Sequence, residues 1–216
     1  NFTFFADNTD ILIKNFLGKF GPVDIKDGDA KIQISPEILI ETNFSSTIKI
    51  NNKINRELDF FKKIINLSSL DNLSGNFSNS LIINLDQTLK IKDYNFKNSG
   101  KIAKAKFNFR NFDKNFLFDK SLEFIFVKDT EINTLINSNQ NNIKIKGKYS
   151  FNNKNFLNFD SENILNNEIL KFKINADIDK KIEIDLINYS KPKKIIAEVS
   201  FELEKLKDNL KFNYIN

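Results

Sequence analysis

Period-two alternation of apolar and polar residues constrains this chain more than any other feature. In Ile143-Lys144-Ile145-Lys146-Gly147-Lys148-Tyr149-Ser150-Phe151 every odd position is apolar, aromatic or Gly, and every even one is polar. Residues 103–110 repeat the pattern, with Ala103, Ala105, Phe107 and Phe109 pointing one way and Lys104, Lys106, Asn108 and Arg110 the other. The same reading fits Leu81/Ile83/Leu85, Leu122/Phe124/Phe126, Phe172/Ile174/Ala176/Ile178, Ile182/Ile184/Leu186 and Ile195/Ala197/Val199/Phe201/Leu203. Successive side chains leave a strand on opposite sides, so each segment predicts a half-buried strand.

Short polar clusters separate these segments: Asn98-Ser99-Gly100, Asn137-Ser138-Asn139, Asn152-Asn153-Lys154-Asn155, Asp179-Lys180-Lys181 and Lys191-Pro192-Lys193. Such residues tolerate tight turns, and the spacing leaves too little room for crossover helices, which predicts an antiparallel meander. At Asp93 the apolar phase shifts from Leu89 and Ile91 to Tyr94 and Phe96, the mark of a bulge.

The first third reads differently. Thr9 to Phe20 carries Leu12, Phe16 and Phe20 at helical spacing and stops at Gly21-Pro22, which predicts a short amphipathic helix. Asp27-Gly28 reads as a hairpin turn, and strands follow near Glu37–Asn43 and Ser46–Asn51. Ile54, Leu58, Phe61 and Ile65 predict a second helix over Ile54–Leu67. The expected fold is mostly β: a long antiparallel meander forming a curved, groove-like sheet with two short amphipathic helices. Residues 1–75 form a mixed segment and 76–216 the meander of the same elongated domain. Two short helices cover only part of such a sheet. Its apolar face must close on itself as a sandwich or barrel, meet a membrane, or line a trough for an apolar ligand.

Composition narrows the chemistry. The 216 residues include no Cys, His or Trp, which removes disulfides, thiolate and imidazole catalysis and Cys/His zinc sites. Met is also absent, so the chain is expected to be a segment of a longer protein. Asn, Ile, Lys and Phe all come from A/T-rich codons, so their abundance carries no functional weight. The net charge of +5 arises from 33 basic and 28 acidic residues that are interspersed, without the uninterrupted stripe nucleic acid requires. From Lys101 to Arg110 the cations lie opposite the aromatics, which defeats single-strand gripping. The pairs Glu183/Asp185 and Asp177/Asp179 lack a base partner or cage and read as solvated face. Lys191-Pro192-Lys193-Lys194 reads as a solvated turn that could also approach anionic headgroups. Neither catalytic residues nor a cofactor or metal site is expected.

The segment Leu67 to Leu85, with Leu70, Leu73, Gly75 and Phe77 before Leu81-Ile82-Ile83-Asn84-Leu85, and the following Leu89–Phe96, resembles the repeating strand units of the AsmA-like family of TamB/YhdP-type envelope lipid-transport proteins. The shared texture is a short amphipathic helix, a leucine-spaced approach to a Gly, and many alternating strands; it covers most of the chain. The resemblance implies a periplasmic protein held to the inner membrane by an N-terminal anchor outside this segment. Its elongated groove would shield phospholipid acyl chains between inner and outer membranes. Exposing a chain of roughly sixteen carbons costs on the order of 13 kcal/mol, so such a conduit must be continuous. About twelve strands at about 4.8 Å would extend it by roughly 58 Å. The groove residues expected are Leu81, Ile83, Leu85, Ala105, Phe107, Phe109, Phe124, Ile143, Ile145, Phe172, Ile174, Ile184, Val199 and Phe201.

Overall fold

The computed structural model describes residues 2–34, 37–51, 69–108, 123–166, 168–184, 189–206 and 209–215. Among them there are strands and no helix. The first six are β1 (Thr3–Ala6), β2 (Asp10–Phe20), β3 (Val23–Gln33), β4 (Ile38–Ile50), β5 (Leu70–Leu85) and β6 (Ile91–Asn108). Next come β7 (Phe124–Asn137), β8 (Gln140–Ser150), β9 (Leu157–Asn166) and β10 (Ile169–Ile178). A separate small hairpin is made by β11 (Ile182–Ile184) and β12 (Tyr189–Lys191), after which β13 (Ala197–Leu206) and β14 (Asn209–Ile215) complete the chain order. All but the hairpin form one 12-stranded antiparallel sheet in sequence order. β1 and β14 each pair on one side only, so the sheet is open.

Residues opposite one another in an antiparallel register share a face, which lets the two faces be read directly. One row runs Ile132, Ile145, Ser161, Ile174 and Phe201 across β7, β8, β9, β10 and β13. Another runs Ile11, Ile32, Ile40, Ile83 and Tyr94 across β2 to β6. The opposite face carries charge pairs such as Lys14–Asp29 at 2.8 Å, Lys106–Asp71 at 3.0 Å and Lys144–Glu162 at 3.0 Å. The Lys14–Asp29 and Lys144–Glu162 pairs are solvent-accessible and add at most about 1 kcal/mol each, while Lys106–Asp71 is half-buried. Among the described side chains the sheet is therefore mainly apolar on one side from β2 to β13.

Little of that side is deeply buried. Among the described residues the buried apolar set is Ile50, Leu70, Phe77, Ala105 and Leu157, and most other members of the face are half-buried. The accessible surface is 15282 Å², about half again the roughly 10,000 Å² expected of a compact monomer of this mass. One deeper cluster, Ile50, Leu70 and Ala105 with Ile48, Leu73, Ile102, Phe107 and Val127 around it, sits where β4 to β7 meet one rim. Within the apolar face a polar ladder crosses β4 to β6: Asn98 Nδ2 donates to Asn79 Oδ1 at 2.7 Å, and Asn79 Nδ2 donates to Ser46 Oγ at 3.0 Å. A one-residue slip would break this ladder and invert both faces, so it holds the register.

Several expectations need correction. Thr9–Phe20 is not helical: Asp10–Phe20 is β2. Asn15 adopts φ 55 at a bulge, so Ile13 and Phe16 fall on one face three positions apart, which imitates helical spacing. Gly21-Pro22, expected to stop a helix, is the β2–β3 turn. Asp27-Gly28 makes no hairpin either; it forms a bulge inside β3, with Asp27 at φ 51. Asn98-Ser99-Gly100 lies mid-strand in β6. The second helix expected over Ile54–Leu67 lies outside the described residues. The phase shift near Asp93 is a bulge, since Asn84 faces Asp93 while Leu85 faces Ile91. The division between residues 75 and 76 falls within β5, so both parts belong to one sheet.

Candidate functional site

The apolar face is the candidate site, and the register sorts the residues expected to line it. Leu81, Ile83 and Leu85 on β5 share this face with Ala105 and Phe107 on β6. Ile143 and Ile145 on β8, Phe172 and Ile174 on β10, and Val199 and Phe201 on β13 share it too. Phe109 lies outside the described residues. Ile184 belongs to β11, paired with Tyr189 in the small hairpin and not to the main sheet.

Phe124 is on the other face. It stands opposite Asn108, and the Lys106 ammonium lies 3.7 Å from its ring centre. Residues 124–127 are Phe-Ile-Phe-Val, a run without alternation, so only pairing with β6 decides which pair turns outward. Lys106 of β6 takes Phe124 and Phe126 through cation–π contact, leaving Ile125 and Val127 on the apolar side. Ala103 is corrected likewise: Ile102, opposite Gly75, holds the apolar-face position expected of it.

Sequence reasoning missed Ile11, Ile13, Phe16, Ile25 and Ile32, hidden by the helical reading and the bulges of β2 and β3. It also missed Tyr94, Phe96, Ile132, Ile136 and Phe159, all on strands or segments whose alternation was visible but not counted. Aromatic rings make cross-strand contacts over this face: Phe172–Phe201 at 6.5 Å, Tyr149–Phe159 at 5.9 Å and Phe16–Phe44 at 6.4 Å. All six of these aromatic residues remain only half-buried.

No family model, curated protein or solved structure matches this chain. Two depressions, of about 700 Å³ and 380 Å³, lie on the polar side, lined chiefly by residues such as Ser78, Ser80 and Lys97, and Glu131, Asp160 and Asp177. The apolar side thus stands out by the extent of accessible hydrocarbon, not by an enclosed cavity.

Tyr149 anchors one end of the face. Its hydroxyl donates to the Asp177 carbonyl at 2.6 Å, reaching over β9. Burial first, then the nearby charges of Asp179 and Asp177, push its pKa from 10.0 up to about 12. The folded protein keeps this proton after the unfolded chain has lost it, so the associated stability is complete below the unfolded pKa and declines as pH climbs through the folded one. Urea midpoints should fall between pH 10.0 and about 12. Tyr149→Phe should start about 1 kcal/mol less stable for want of the hydrogen bond, yet fall less steeply across that window. Parallel slopes for the two proteins would refute this assignment.

Proposed function

We propose that this chain is a non-enzymatic lipid-handling segment of an AsmA-like envelope protein, whose apolar sheet face forms a curved groove that shields phospholipid acyl chains between inner and outer membranes. The observation that carries the reading is the mainly apolar face that extends from β2 to β13 of the open sheet, crossed by the Asn98–Asn79–Ser46 ladder, while most of its described side chains remain half-buried. In a closed β-sandwich, the alternative reading of the sequence, the same side chains would be packed against a second sheet. Each methylene of an acyl tail taken from water onto such a surface contributes about 0.8 kcal/mol, so a tail spread over several strands is held without any covalent chemistry.

The full-length protein is placed by this proposal in the periplasm, held to the inner membrane by a segment outside this chain. Ligand recognition is by hydrocarbon, with the headgroup free to remain in water. Solvent extraction of the purified protein followed by mass spectrometry is expected to recover phospholipid. Protein that yields none, while showing the same β-sheet circular dichroism, would sink the proposal.

A further inference from the structure

An antiparallel meander sends alternate connections to opposite ends of its strands. The strand ends joined through 7–9, 34–37, 86–90, 138–139, 167–168 and 207–208 lie at one rim of the sheet, and those joined through 21–22, 51–69, 109–123, 151–156 and 179–196 lie at the other. Every connection of six or more residues leaves from the second rim.

The rims also differ in charge. Described charged residues on the short-turn rim are Asp7, Glu37, Asp86 and Glu168, against Lys90. Turn hydrogen bonds keep two of these acids ionised: the Thr9 and Asp10 N–H groups hold the Asp7 carboxyl below its ordinary range, and the Thr88 hydroxyl and Lys90 N–H do so for Asp86. Among the described residues of the long-connection rim, Lys154, Lys180, Lys181, Lys191, Lys193 and Lys194 outnumber Glu123, Asp179 and Glu183.

Local bonding displays part of this rim outward. Lys191 is buried, and its ammonium donates to the Ile195 carbonyl at 2.6 Å and the Pro192 carbonyl at 3.3 Å. The Lys194 N–H donates to the Asp179 carbonyl at 2.9 Å. The segment is thereby folded around Lys191, with Lys193 and Lys194 exposed beside Ile195 and Ile196, which are 56% and 61% exposed. The Lys180 ammonium, 5.7 Å from the Phe151 ring centre, links this connection to the neighbouring one that carries exposed Lys154. Among the described residues Lys154, Lys193 and Lys194 make no ion pair.

We infer that this rim docks on an anionic lipid bilayer, with Ile195 and Ile196 entering the headgroup layer and Lys154, Lys193 and Lys194 meeting lipid phosphates. Free ammonium groups beside exposed aliphatic side chains suit that surface. A nucleic acid would call for exposed rings on which bases stack, whereas the groups most exposed beside Lys193 and Lys194 are the aliphatic Ile195 and Ile196, Phe151 being half-buried. The acidic rim is repelled by the same surface, which orients the strands away from it.

Flotation with vesicles tests the inference. The unmodified protein should float with phosphatidylcholine vesicles containing phosphatidylglycerol, less so as salt rises, and not with phosphatidylcholine alone. Lys193→Gln with Lys194→Gln should lower partitioning about 30-fold. Ile195→Ser with Ile196→Ser should also weaken it, without changing the salt dependence, and Lys90→Gln on the acidic rim should have no effect. Rim variants that float like the parent overturn the inference, as does binding to single-stranded DNA without binding to vesicles. Should the double-lysine variant misfold by circular dichroism, the salt titration of the parent decides, salt-independent flotation being the overturning result. The docking rests on the rim alone. Protein that floats with anionic vesicles but yields no extractable phospholipid keeps this inference and refutes the groove.

Discussion

Ile145→Asp is expected to abolish phospholipid recovery while leaving the circular dichroism and melting temperature of the protein nearly unchanged. Ile145 lies on β8 between Ile132 of β7 and Ser161 of β9, half-buried in the middle of the apolar face. Without lipid, an aspartate there keeps contact with water, so the cost to folding stays within the about 1 kcal/mol typical of single substitutions. Under an acyl chain the same carboxylate must shed its hydration with no cation on that face of β8 to receive it, at a cost of several kcal/mol. That exceeds what the few methylenes near one residue return, and recovery should drop by at least about 100-fold, since every 1.4 kcal/mol is tenfold. Lys146→Ser, one step along β8 on the charged face, is the control and should retain lipid. If Ile145→Asp instead aggregates or melts far earlier than the parent, the position is ordinary core and the face is not open to ligand.

The fold class was legible because one-sided burial imposes period two wherever the register is regular. From β8 to β13 alternation alone placed Ile143, Ile145, Phe172, Ile174, Val199 and Phe201 on a common face. Where the backbone inserts an extra residue, the pattern carries another meaning. The bulge at Asn15 puts Phe16 and Phe20 on the face of Ile11 and Ile13, while Leu12, read with Phe16 and Phe20 as one helical stripe, lies on the opposite face across from Lys31; Asn15 is a residue type that tolerates positive φ. Asp27 and Asp129, at φ 51 and φ 48, mark comparable breaks in β3 and β7. Phe124 could not be assigned from its own neighbourhood, because both phases of Phe-Ile-Phe-Val are apolar and a lysine on β6 makes the choice. Turn residues misled in the opposite sense. Gly100 reads as a turn glycine, yet it stands directly across from Phe77, where an added Cβ would lie 2.5 Å or less from that ring and from the Asn76 carbonyl. Such a glycine is selected by the ring that covers it, a partner on another strand.

Gly147 tests that principle most severely. On β8 it lies beneath Thr130 of β7, whose side chain is 0% exposed and whose hydroxyl donates to the Lys128 carbonyl at 2.9 Å. An added Cβ would overlap the Thr130 Oγ1 and stand 2.5 Å from its Cβ and 2.6 Å from its Cα. The last of these is backbone, so a rotamer change cannot relieve the overlap and the two strands must separate. Gly147→Ala should therefore cost about 2–3 kcal/mol, lowering the melting temperature by about 5–10 °C. Gly18→Ala on β2 meets nothing within 4 Å and should be neutral or slightly stabilising, although both glycines sit inside strands. Intrinsic strand preference, which favours Ala over Gly at both positions, predicts no such divergence. Pairing Gly147→Ala with Thr130→Gly should recover about 1 kcal/mol of the loss relative to the sum of the single changes. Equal effects at Gly18 and Gly147, or strict additivity in the pair, would show that Thr130 does not occupy the space above Gly147.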